Sequence, residues 1–331
     1  MKLTKPAFYD DFRCLAGACP DSCCQEWDVQ VDEAAAGRYL ALPGALGDTL
    51  RQKLKQDEEG EYYLEITDRR CPMWRADGLC EIQYHLGEGG LCQVCHEFPR
   101  LRHDYGDFVE LGLELSCPEA ARLILTAPNL PPVVEEISGG EEPGYDREAM
   151  GVLLRTRIQA LKILSDYPMP DALTLLLLYA YRAQEELDGG EPTLLDPEAD
   201  FALARQVAQS GPSQPLQPFY LGLEILTPRW KALLERTHSS SDWSESLRAM
   251  VRYGVERYWL QAVSDYDLTS RVKMIIAACL LVRDLGGDII ETAQLYSKEI
   301  ENSAENVDAV LDAAYSHPAL TDANLLRLLG R

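Results

Sequence analysis

The sequence predicts a mainly α protein in which a cysteine-rich N-terminal α+β metal- or cluster-binding lobe precedes a helical-bundle domain. Three observations lead there. Nine of the ten cysteines lie between Cys14 and Cys117. Within that region, residues 61–67 and 107–115 alternate apolar and polar side chains as half-buried strands do. From residue 147 onward, apolar residues recur at three- and four-residue spacing, the period of a helix with one buried face.

Taken in order, residues 1–125 form the cysteine-rich lobe, a loop-rich region with the two strands beside its cysteine loops. Its end reads as a helix start: Ser116 is placed as N-cap, Pro118 in the first turn and Glu119 where a capping box sets it. Residues 126–146, rich in proline and acid, read as a linker. Helices are expected over 147–165, 171–187, 197–210, 224–236, 242–264, 269–285, 288–301 and 304–315, and residues 147–331 form the helical domain. Breaks fall at Pro168 and Pro170, Gly189 and Gly190, residues 210–218, and Gly286 and Gly287. No fixed-period repeat imposes a solenoid.

The 331 residues are 46% hydrophobic and 26% charged, the composition of a folded globular chain. A net charge of −23 repels phosphate backbones, which argues against nucleic acid, and attracts partners presenting lysines. The first residues lack the apolar core of a secretory signal, and no run approaches the ~18 apolar residues of a membrane span. The expected location is therefore cytoplasmic, where thiols stay reduced and structural disulfides are rare.

Under those conditions, nine clustered thiols beside Gly, Pro and charged residues point to metal or iron–sulfur ligation. Cys279, alone in an apolar run, reads as a core residue. The nine fall into three groups: Cys14, Cys19, Cys23 and Cys24; Cys71 and Cys80 around a turn at Asp77-Gly78; and Cys92 and Cys95, with Cys117 at the helix start. Thiolates are soft ligands that suit zinc and iron–sulfur clusters, and spacing alone leaves both open. His85, His96 and His103 are possible further ligands. Glu26 stands where a Cys-x3-Cys-x2-Cys radical motif starting at Cys19 needs its third thiol. No Gly-x-Gly-x-x-Gly, P-loop, His-Glu-x-x-His or Gly-x-Ser-x-Gly motif is present.

The arrangement resembles the flagellin lysine-N-methylases (FliB). The resemblance is carried by FRCLAGACPDSCCQEWDVQVD (residues 12–32), CPMWRADGLCEIQYHLGEGGLCQVCHEFPR (71–100) and ELSCPEAARLIL (114–125). Weaker echoes are VRYGVERYWLQA (251–262) and YSKEIENSAENVDAVLD (296–312), the latter departing at Asn302, where the family has a histidine. The first three segments also resemble, more loosely, the CxxCxxCC family of zinc- or iron-chelating proteins. That shared pattern singles out Cys23 or Cys24, Cys71, Cys80 and Cys95 as inner ligands, then Cys92 and Cys117, then Cys14 and Cys19. The resemblance implies S-adenosylmethionine-dependent N-methylation of lysines on flagellin, with a [4Fe-4S] cluster in the cysteine-rich region. The alternative is a non-catalytic zinc- or iron-binding interaction module.

Methyl transfer to lysine needs a deprotonated amine, and a Glu, Asp or Tyr nearby could accept its proton. Glu26, Asp28, Asp32, Glu97, Glu110 and Glu114 lie near the cysteine segments. Arg100 is a candidate for binding a carboxylate of the methyl donor, or else a loop anchor to Asp104 or Asp107. Trp27, Trp74 and Phe98 are candidates for an apolar shell around the centre, or for stacking on adenine.

Overall fold

The computed structural model describes residues 1–25, 29–192, 194–209, 211–236, 240 and 242–330. Its strands are β1 (Lys2–Lys5), β2 (Val29–Val31), β3 (Leu54–Gln56), β4 (Tyr62–Leu64), β5 (Arg100–Asp104), β6 (Phe108–Leu113) and β7 (Val133–Glu136). Helices of the first 126 residues are α1 (Glu33–Ala41), α2 (Gly44–Lys53), α3 (Glu81–Leu86), α4 (Gln93–Glu97) and α5 (Pro118–Thr126). There follow α6 (Arg147–Asp166), α7 (Met169–Leu187), α8 (Pro197–Ala208), α9 (Gln217–Leu221) and α10 (Pro228–Leu234). The last are α11 (Glu245–Tyr258), α12 (Thr269–Leu285), α13 (Ile289–Tyr296), α14 (Ala304–Ser316) and α15 (Asp322–Leu328), with a π-helical turn at Ser297–Glu301. The mainly α expectation holds.

At the centre lies α12, in which every residue except Asp284 is buried. A helix buried on all sides has to be surrounded, and α7, α11, α13 and α14 pack around it. Gly254 on α11 permits a close approach to α12. A Cβ there would stand 2.9 Å from two carbons of Ile275. Gly254→Ala is therefore expected to destabilise by about 1–3 kcal/mol, the range for an overpacked core. Ile275→Val should recover part of that loss in denaturant titrations, whereas equal stability of Gly254→Ala and wild type would refute the contact.

Among the described residues two separate sheets occur, ordered β5-β6-β1-β7 and β2-β4-β3. In the first, β1 runs parallel to β6, with Leu3 opposite Val109, and antiparallel to β7, with Leu3 opposite Glu135. The stretch 126–146, expected as a linker, thus contributes an edge strand. Residues of β7 are all exposed, so no apolar alternation marked it. The cap of α5 also differs from expectation: Cys117, not Ser116, is the N-cap, and the buried Ser116 hydroxyl lacks a partner among the described residues.

The buried side chains form two cores. The larger joins the C-terminal helices to α5, Leu113, Leu115 and Phe12. The smaller gathers Val29, Val31, Tyr39, Leu50, Leu64, Met73 and Ile82 around Cys71 and Cys92, with Cys24, Cys80 and Cys95 packed against it. Residues 99–126 therefore pack on the helical core, and the thiol-lined core draws on residues 24–95.

Candidate functional site

Each cysteine loop is shaped by short-range hydrogen bonds. Asp77 accepts from the Leu79 amide at 3.2 Å and Gly78 turns with φ of 80°, a conformation that glycine adopts without strain. The turn folds Cys80 back onto the Cys71 segment, where Trp74 bridges to Cys80 and the Glu81 amide donates to the Met73 carbonyl at 2.8 Å. The Cys71 amide donates to the Cys24 carbonyl at 2.8 Å, which brings the first loop to the second. Asp32 holds the third. It caps α1 by accepting from the Ala35 amide at 2.8 Å, and it accepts from the Gln93 amide, next to Cys92, at 2.7 Å. Tyr39, on the same helix, donates its hydroxyl to the Gly90 carbonyl at 2.9 Å.

The result is a gathering of thiols. Cys71 lies within electrostatic reach of Cys80, Cys92 and Cys23, and Cys95 within reach of Cys92, Cys24 and Cys23. Cys117 and Cys19 approach Cys23 from the other side, with Cys14 beside Cys19. All nine thus form one connected set with Cys23 at its joint. Burial pushes the Cys71 thiol up to about 11, that of Cys117 up to about 12, and those of Cys19 and Cys80 upward. Cys23 is raised above all by its hydrogen bond with Cys24. The exception is Cys92: hydrogen bonding from the Cys95 thiol lowers it to about 7, while Cys95 is raised by the same contact.

Among the described residues, no three His, Cys, Asp or Glu side chains stand in an arrangement that could hold a metal ion. The chemistry of the donor set nevertheless fits a soft metal: thiols from three loops converge beside an apolar core. Cys279 is apart from them, fully buried on α12 and pushed up to about 12 by burial. His85 faces Glu81 at 3.1 Å and His96 approaches Glu88 at 4.0 Å, both exposed. His103 is lowered by burial and faces Arg257, Glu110 and Arg157 instead of the thiols.

The first cysteine loop is tied to the helical half. Lys298, in the π-helical turn, donates to both Asp21 oxygens at 2.9 and 3.0 Å, and Gln294 donates to Asp21 at 3.0 Å and to the Ser116 carbonyl at 2.6 Å. Burial raises the Asp21 carboxyl, but Lys298 outweighs it and the net shift is downward. A depressed carboxylate stabilises the fold above its unfolded pKa of about 3.9 and loses that contribution as pH falls through its lower folded value. Asp21→Asn is expected to cost about 1–2 kcal/mol near neutral pH. Denaturation curves of the two proteins should converge below about pH 4; a constant gap down to pH 2 would refute the tie.

Beside this contact, three sequence segments meet in a buried polar cluster. Arg257 lies 3.4 Å from Glu114 and 3.6 Å from Glu301. It donates to the Tyr253 hydroxyl, which donates to Glu301 at 3.0 Å, and Ser297 donates to the same carboxylate oxygen. The guanidinium also sits over the rings of Tyr253 and Tyr258. The segments 114–125, 251–262 and 296–312, which stood out in the sequence, are thus one packed unit. Sequence reasoning missed Arg257 and Glu301, because nothing along the chain pairs residues 44 positions apart.

Of the carboxylates expected near a proton acceptor's place, Asp32 is a structural cap whose pKa is lowered by the Gln93 amide. Glu110 is held by two Arg157 nitrogens, and Glu97 accepts from Gln93 at 3.0 Å. Burial raises Glu114, against the pull of Arg257. Glu26, Trp27 and Asp28 lie outside the described residues. Arg100 rests over the Phe12 ring at 5.2 Å, while its expected anchors are otherwise engaged, Asp104 with Arg102 and Asp107 with Tyr145.

The fold and site define a mainly helical protein with a thiol-lined second core keyed into its bundle. The chain belongs to the flagellin lysine-N-methylase family. It is 32% identical over 154 residues to flagellar biosynthetic protein FliU of Salmonella muenchen, covering 45% of this chain and 88% of that one. It is 35% identical over 133 residues to the lysine-N-methylases of Salmonella choleraesuis and Salmonella typhimurium, covering 38% of this chain. The match spans 33% of the length of those two methylases. No family model matches, and no solved structure does. No helix among the described residues is long and apolar enough to cross a membrane.

Proposed function

We propose that this protein N-methylates lysine side chains of flagellin with S-adenosylmethionine, and that the converging thiols hold a [4Fe-4S] cluster. The observation that carries the reading is the likeness to two proteins named lysine-N-methylase, in a chain whose thiols gather at one place. When bound, a cluster with an open iron position supplies a chelating point for the amino and carboxylate groups of the methyl donor. Three of the thiols gathered there, from among Cys71, Cys80, Cys92, Cys95 and Cys23 or Cys24, would hold the other three irons. The small core around Met73 and Ile82 buries Cys71 and Cys92, and the Asp21–Lys298 contact fixes the first loop against the helices. In the reaction the lysine nitrogen forms a bond to the methyl carbon, the sulfonium–methyl bond breaks onto sulfur, and the ammonium proton leaves to a carboxylate.

The test is anaerobic purification with iron and sulfide analysis, followed by incubation with flagellin and isotopically labelled S-adenosylmethionine. Label on lysine, lost after aerobic cluster decay and restored on reconstitution, is the expected result. Iron-replete protein that transfers no label overturns it. Colourless protein that holds zinc and binds flagellin without methylating it selects the interaction-module reading, in which the metal staples a core of few residues.

A further inference from the structure

The loop that carries Cys19, Cys23 and Cys24 is gripped from the helical half where α13 runs into the π-helical turn. In that turn the Asn302 amide donates five residues back to the Ser297 carbonyl at 3.1 Å. Such wide turns are rare and recur at functional sites. Gln294 and Lys298, four residues apart along this stretch, both reach Asp21, midway between Cys19 and Cys23. The Asp21 carboxylate accepts from the Ser22 amide at 2.8 Å and Lys298 at 2.9 Å on one oxygen. On the other it accepts from Gln294 and Lys298, both at 3.0 Å.

From Asp21 the contacts run on into the thiol set. Lys298 also donates to the Ser22 carbonyl, the group bonded to the Cys23 nitrogen, at 3.4 Å. The Ser22 hydroxyl accepts from the Cys24 amide at 3.1 Å, and the Cys24 carbonyl accepts from the Cys71 amide at 2.8 Å. Gln294 links the same carboxylate to the Ser116 carbonyl, one residue before Cys117. A carboxylate anchor at this point places negative charge beside sulfurs that are themselves negative as thiolates. Lys298 cancels it, and with 12% of its side chain exposed the pair is screened little by solvent.

We propose that Lys298 is a positioning residue of the thiol centre. Through Asp21 and Ser22 it fixes the loop of Cys23 and Cys24 against Cys71, and its charge offsets the Asp21 carboxylate beside the sulfurs. The assignment rests on the iron–sulfur reading, because the reduction potential of such a centre follows the charge around it. Loss of a nearby positive charge lowers that potential, and loss of a nearby negative charge raises it.

Lys298→Gln and Asp21→Asn break the same contact with opposite changes of charge, and together they test it. Each full-length variant is purified anaerobically, its iron counted, and its reduction followed by electron paramagnetic resonance in a dithionite titration. Lys298→Gln should reduce at a lower potential than wild type and Asp21→Asn at a higher one. Lys298→Arg, which keeps the charge, should match wild type. Lys298→Gln and Asp21→Asn should both also yield iron to a chelator about tenfold faster, the worth of one charge-assisted hydrogen bond. A contact that only holds the fold together loosens alike in the two variants and moves both potentials the same way. Shifts of equal sign, no shift in Lys298→Gln, or unchanged iron release in both overturn the proposal and leave the cluster standing. Where Lys298→Gln does not fold, the double variant with Asp21→Asn replaces it and should reduce at a lower potential than Asp21→Asn alone. A chain that takes up no iron removes the cluster reading and this assignment together.

Discussion

Arg257→Met is expected to lower the unfolding free energy by about 3–5 kcal/mol, the cost of stranding a buried charge without its partner. The arginine is the only cation close to Glu114 and Glu301 in the described cluster, and its removal leaves two carboxylates with only the Tyr253 and Ser297 hydroxyls as partners there. Glu114→Gln should cost much less, because Arg257 keeps Glu301 and the cluster loses its excess negative charge. The pH dependence has a definite sign. Burial raises the folded pKa of Glu114 above its unfolded value, so ionising it weakens the fold as pH rises from about 4 through the folded pKa. Guanidinium titrations of wild type, Arg257→Met and Glu114→Gln between pH 4 and 8 check this. If Arg257→Met falls within 1 kcal/mol of wild type, roughly the worth of an exposed ion pair, the cluster does not hold the three segments together.

The second large effect concerns the thiols. Cys71→Ser and Cys92→Ser are each expected to lower bound metal per chain about tenfold or more, since both sulfurs are buried at the point where the loops meet. Loss of metal should also lower the melting temperature, because the small core has few apolar residues of its own. Cys279→Ser serves as the control. It sits in the other core, so its metal content should equal wild type even though burying a hydroxyl there costs about 1–3 kcal/mol. Full metal content in both Cys71→Ser and Cys92→Ser, measured by atomic emission on anaerobic protein, would remove the ligation reading.

These predictions divide between what was legible along the chain and what was not. The helices α6, α7, α8, α12 and α14 follow from apolar period and from breaks at Pro168, Gly189 and Gly286, which act within a few residues. The strand cores β4 and β6 follow from alternation in the same way. By contrast, α1, α2, α3 and β7 are short or exposed, and their stability comes from contacts that the chain makes far away. The Asp242–Ser264 region shows the boundary of local reasoning: its period continues, yet α11 ends at Tyr258 and a 3₁₀ turn runs through Trp259–Val263.

For the site, the sequence by itself determined the donor chemistry. Nine clustered thiols and an acidic chain set which ligands are possible, since residue type decides softness and charge whatever the fold. Tertiary structure alone decided the grouping. It placed Cys23 at the joint of the thiol set and bound the first cysteine loop to Lys298. It also assembled Glu114, Arg257 and Glu301 from three distant segments. The physical reason is range. Helix period and turn chemistry act over a few residues, whereas burial, ion pairing and cavity shape depend on which surfaces close against each other.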